Sequence, residues 1–86
     1  MLMSREAQFL KDFKEWVDTQ VVINDGAMKA SQQVWEEDQD ERAKDAVIRY
    51  ESRLDAYRFL QSKFHQFEQG QDFHDVPEDL FGKRSY

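Results

Sequence analysis

The run Glu36-Glu37-Asp38-Gln39-Asp40-Glu41 decides how this chain folds, because it separates two apolar stripes that mirror one another. Upstream, Leu10, Phe13, Val17, Gln20, Asn24, Ala27, Ser31 and Val34 step by threes and fours, the spacing of one helix face. Downstream, Ala43, Ala46, Tyr50, Arg53, Tyr57, Leu60, Phe64 and Phe67 repeat that spacing. Counted outward from the acidic run, Val34 comes level with Ala43, Ala27 with Tyr50, Val17 with Leu60 and Phe13 with Phe64. Two long antiparallel helices packed along their apolar faces produce this register.

The acidic run is itself the hinge. Carboxylates are unfavourable at the C-terminus of one helix and favourable at the N-terminus of the next. Asp38 and Glu41 have the spacing of a capping box, with Asp in place of the usual Ser or Thr. Ser4 is a good N-cap for the first helix and Gly70 a natural stop for the second. The predicted elements are therefore a helix over 5–37, a hinge over 38–40, a helix over 41–69 and a tail over 70–86. Asn24-Asp25-Gly26 has the composition of a turn, but the apolar phase continues across it, so one helix bent at Gly26 is expected. In the tail, Pro77 and Gly82 bracket one short helical turn. Phe73, Leu80 and Phe81 are expected to dock over the aromatic cluster at the open end.

Chain length sets the next expectation. With 86 residues and no cysteine, the chain is one small domain without a disulfide to staple it. Val22, Ile48 and Phe59 project away from the main stripes, forming a candidate interface. The fold class predicted is thus all-α: a long two-helix hairpin with a tail, dimerising into a four-helix bundle by two-fold symmetry.

Composition excludes several functions. A net charge of -6 disfavours binding to a phosphate backbone, so no nucleic-acid partner is expected. No stretch approaches the roughly 20 apolar residues of a membrane span, and the N-terminus is not a signal peptide. An aromatic content of 14% argues for a folded chain rather than a disordered one.

Chemistry-bearing motifs are scarce. His65 and His74 belong to no metal-binding helical motif, and the hinge carboxylates lack the glycine and distant glutamate of a calcium loop. No Ser or Lys has an adjacent base that would make it a nucleophile. No metal, cofactor or catalytic residue is assigned. One belt could take a small anion: Arg49, Arg53 and Tyr57, with His74 from the tail, offer fixed donors. The structural alternative makes that region, with Gln20 and Asn24 opposite, an internal hydrogen-bond layer fixing helix register, flanked by an Asp45–Arg49 pair.

The runs Phe9-Leu10-Lys11-Asp12-Phe13, Glu37-Asp38-Gln39-Asp40-Glu41-Arg42-Ala43 and Ile48-Arg49-Tyr50-Glu51-Ser52-Arg53-Leu54-Asp55-Ala56-Tyr57 resemble a family of short uncharacterised proteins. The tail run Phe73-His74-Asp75-Val76-Pro77-Glu78-Asp79-Leu80-Phe81-Gly82 does too. That family is a domain of unknown function from low-GC Gram-positive bacteria. The resemblance implies a cytoplasmic bacterial protein that is complete at this length, and carries over no site residue. The reading preferred from the sequence is a non-enzymatic, homodimeric protein that binds another, unknown protein; the alternative is a small-ligand or anion-binding protein.

Overall fold

The computed structural model describes residues 3–74, and among these the fold is all-α. Two helices pack against each other: α1 spans Arg5–Asp38 and α2 spans Glu41–Glu68. At about 1.5 Å per residue they reach roughly 51 and 42 Å.

α1 begins where Ser4 adopts an extended backbone and its Oγ accepts the Ala7 N–H at 3.0 Å. Glu6 in the first turn complements the helix dipole. The helix passes through Asn24-Asp25-Gly26 without interruption. Asn24 would compete with helix in an exposed setting, but here it is buried. Its Nδ2 folds back to donate to the Gln20 carbonyl at 2.7 Å, so its polar group is satisfied within the helix.

The hinge is shorter than the acidic run. Only Gln39 and Asp40 separate the helices. Gln39 takes the left-handed conformation (φ 55°), and its N–H donates to the Trp35 carbonyl at 2.9 Å, closing α1 with an αL cap. The N-cap of α2 is Asp40, whose Oδ1 accepts the Arg42 N–H at 2.9 Å. The capping box expected between Asp38 and Glu41 is not formed, because Asp38 is still the last residue of α1. A single left-handed residue reverses the chain, which moves the cap to Asp40. Above the hinge, the Lys44 ammonium lies 5.2 Å from the Trp35 ring and ties the two arms together.

α2 ends in a Schellman motif. Gly70 is left-handed (φ 77°), its N–H donates to the Phe67 carbonyl, and the Gln71 N–H reaches back to Gln66 at 2.9 Å. Past this turn, Phe73 does not cover the aromatic cluster. It is largely exposed, its carbonyl accepts the Lys63 ammonium at 2.6 Å, and its ring lies under the same ammonium. The short turn expected around Pro77, with Leu80 and Phe81, lies outside the described residues.

The arms meet in the predicted register: Phe13 and Phe64 touch edge to face with ring centroids 5.2 Å apart. Val17 and Leu54 are fully buried, contributing about 1.5–3 kcal/mol each. Leu54 shows that the buried line of α2 is rotated by one residue from the predicted stripe. It runs through Val47, Tyr50, Leu54, Tyr57, Gln61 and Phe64, leaving Arg53 and Phe67 exposed.

Candidate functional site

Two helices form a single layer, so each helix has a face toward its partner and two flanks that look out on opposite sides. At about 100° per residue, one flank carries Lys14, Asp18 and Asp25 of α1 with Arg58 of α2, and Gln61 and Glu68 reach it from the line of α2 that faces α1. That flank is closed by polar contacts across the helices. Gln61 Nε2 donates to Asp18 at 2.9 Å, Lys14 pairs with Glu68 at 2.7 Å, and Arg58 approaches Asp25 at 3.7 Å. Asp25 also holds Lys29 one turn along α1 at 2.8 Å. The Glu68 carboxylate raises the Lys14 pKa above its ordinary value of 10.5 by hydrogen bonding and charge.

The opposite flank is aromatic. Phe13 lies at its centre, in ring contact with Phe9 at 6.0 Å, Trp16 at 6.4 Å and Phe64 at 5.2 Å. Trp16 in turn meets Tyr57 edge to face at 5.7 Å. These geometries are the favourable T-shaped and tilted ones. Phe9, Asp12, Phe13 and Trp16 line a shallow depression of about 290 Å³. Further along α1 the flank continues through Ile23, Ala30 and Val34, and along α2 through Ala46, Arg53, Leu60 and Phe67. Phe9, Trp16, Ile23 and Phe67 are each at least half exposed.

The predicted interface residues lie apart from this aromatic flank. Val22 lies about 140° around α1 from buried Val17, and Ile48 and Phe59 lie 120–140° around α2 from Leu54, all on the polar side. All three are exposed. Phe59 has the Lys63 ammonium 5.5 Å from its ring centroid, on the side where the chain returns after α2. Ile23, which the sequence reading passed over, belongs to the aromatic flank. Its signal was a seven-residue step through Phe9, Trp16, Ile23 and Ala30.

The candidate anion-binding residues are brought together only in part. Arg49, Arg53 and Tyr57 follow one another along α2. Arg53 stacks over the Tyr50 ring at 5.6 Å, and the Tyr57 ring meets Trp16 in a T-shaped contact at 5.7 Å. Neither arginine has a carboxylate partner among the described residues, and the predicted Asp45–Arg49 pair is not formed. His74 lies beyond the end of α2 with its ring against Phe73, apart from that belt. The register-fixing layer expected from Gln20 and Asn24 is also displaced: Asn24 bonds its own helix, and the cross-helix polar contacts stand on the other flank. Among the described residues, no three His, Asp or Glu side chains converge to hold a metal ion. Nor is any helix there long and apolar enough to cross a membrane.

Comparison with known proteins agrees with the architecture and stops short of an activity. A family described as Domain of unknown function (DUF1912) matches residues 3–86. The chain is similar to a solved structure titled "Crystal structure of the Protein of Unknown Function SPY1572 from Streptococcus pyogenes". The two are 57% identical with a TM-score of 0.79, over 87% of this chain and 97% of that one. No curated protein matches the chain.

Proposed function

We propose, for a chain that belongs to the DUF1912 family, the role of a non-enzymatic, cytoplasmic interaction module that works as a homodimer and binds another protein. One observation carries this reading. Among the described residues, the hairpin closes its polar flank with its own hydrogen bonds and ion pairs but leaves the aromatic flank exposed. Beside Asp12 and Arg53 at its margins, this flank holds Phe9, Phe13, Trp16, Ile23, Leu60 and Phe67. Trp and Phe are the residue types that dominate binding energy where proteins meet.

The test is sedimentation equilibrium of the whole chain at micromolar concentration, alongside affinity recovery from native extract with wild-type and Trp16→Asp protein as baits. The reading expects a dimer and a partner recovered by the wild type alone. A monomer that recovers nothing beyond control beads would end it. A second reading, an anion site at Arg49, Arg53 and Tyr57, draws support from the two arginines lacking carboxylate partners. A thermal-shift panel of phosphate and phosphorylated metabolites tests it, since a specific ligand raises apparent stability by mass action.

A further inference from the structure

We propose that the aromatic flank is covered by a second copy of this chain lying antiparallel across it, with the hinge end of each hairpin over the open end of the other. The inference rests on the self-association in the reading above and adds the face and the arrangement. Its first support is spacing. On α1 the flank is drawn by Phe9, Phe13, Trp16, Gln20, Ile23, Ala27, Ala30 and Val34, an unbroken alternation of four and three. That is the seam into which another long helix fits its side chains.

The second support is taper. Bulky residues crowd the open end of the flank, whereas Ala27, Ala30, Ala43 and Ala46 stand near the hinge. A two-fold axis crossing the helices near Gln20 and Ile23 brings Phe9 over the partner's Val34, Phe13 over the partner's Ala30 and Trp16 over the partner's Ala27. Within half a turn, the same rotation sets Phe64 and Phe67 over the partner's Ala46 and the partner's Ala43. Large then meets small toward both ends of the seam, which favours close packing there. A parallel dimer would stack large on large at one end and leave a gap at the other.

Charge points the same way. Glu36, Glu37, Asp38, Asp40 and Glu41 crowd the hinge of a chain whose net charge is -6. Side by side, two such hinges repel; at opposite ends of the bundle they are separated by several Debye lengths.

The chain has no cysteine, so Glu37→Cys gives one spin label per copy on the exposed end of α1. In the dimer, pulsed electron–electron resonance should read a label separation of about 45–50 Å, set by the helix rise over the distance between hinges. A dimer with labels within about 30 Å overturns the antiparallel arrangement while leaving self-association standing. A monomer overturns both. Trp16→Asp should abolish the dimer and retain helical circular dichroism, and Val22→Asp should leave the dimer intact. The reverse pattern would move the interface to the polar side and sink the proposal.

Discussion

Phe13 and Phe64 stand 51 residues apart in the chain yet meet edge to face, with their ring planes at 88° and centroids 5.2 Å apart. This contact joins the first arm to the second at the open end, where no covalent turn holds them. Truncating either ring to alanine should lower the unfolding free energy by about 2–4 kcal/mol, less than for full burial because both are half-buried. Their coupling in a double-mutant cycle should be about 0.5–1.5 kcal/mol, the value of an edge-to-face pair beyond area burial. Urea denaturation of the four proteins measures it. A coupling of zero would mean that the rings merely share a neighbourhood.

The glycines at positions 26 and 70 should respond to alanine with opposite signs. Gly26 lies inside α1, and a Cβ there meets nothing within 4 Å. Gly26→Ala therefore gains helix propensity and loses unfolded-state entropy, raising stability by about 0.5–1 kcal/mol. Gly70 also has room for a Cβ, but its φ of 77° is the left-handed region that an L side chain disfavours. Gly70→Ala should cost about 1 kcal/mol and fray the last turn of α2. Thermal melts of the two variants decide the matter, and equal shifts in one direction would refute this account.

The same positions show what the sequence could disclose. Phase across Asn24-Asp25-Gly26 revealed a continuous helix because burial of Val17 and Asn24 on one face outweighs the local preference for a turn. The register of Phe13 with Phe64 was legible for the same reason. The hinge cap was not: Asp38 and Asp40 are chemically equivalent, and only the left-handed Gln39 selects between them. Nor could spacing assign the flanks. Phe13, Gln20, Ala27 and Val34 belong both to the line facing α2 and to the aromatic seam, so two stripes overlap. Which flank stays open follows from where Asp18, Gln61, Lys14 and Glu68 find one another, a fact of tertiary geometry.

Asp40 links the hinge to pH. Its carboxylate accepts the Arg42 backbone N–H, which holds its pKa below the ordinary 3.8. A carboxyl whose folded pKa is depressed adds stability above its unfolded value and loses it as pH falls through the folded one. The start of α2 should therefore loosen only below pH 3.8. Lys14, raised above 10.5 by Glu68, gives the opposite limb: its contribution is present below 10.5 and disappears as pH rises through the folded value. Asp40→Asn keeps an N-cap acceptor without the charge and should flatten the acid limb at this site. Amide shifts of Arg42 and Ala43 followed by NMR across pH 2–5 check this, and an unchanged acid limb in Asp40→Asn would assign it to other carboxylates.

Asn24 supplies the remaining prediction, because its burial looks like a specificity device and its hydrogen bond says otherwise. A buried asparagine that pairs across a helix interface selects one alignment at a cost in stability. Asn24 instead donates to the Gln20 carbonyl of its own helix, and that carbonyl already serves the helix backbone. Its removal leaves no cross-helix donor or acceptor stranded. Asn24→Val should therefore raise stability by about 0.5–1 kcal/mol through added apolar burial, discounted for the poorer helix propensity of a β-branched residue. The arms should keep their alignment, since Phe13–Phe64 and Asp18–Gln61 fix it independently. A sharp, single set of amide resonances with a raised melting temperature is the expected result. Broadened or doubled resonances would show that Asn24 sets the register after all, and that the polar flank alone does not hold it.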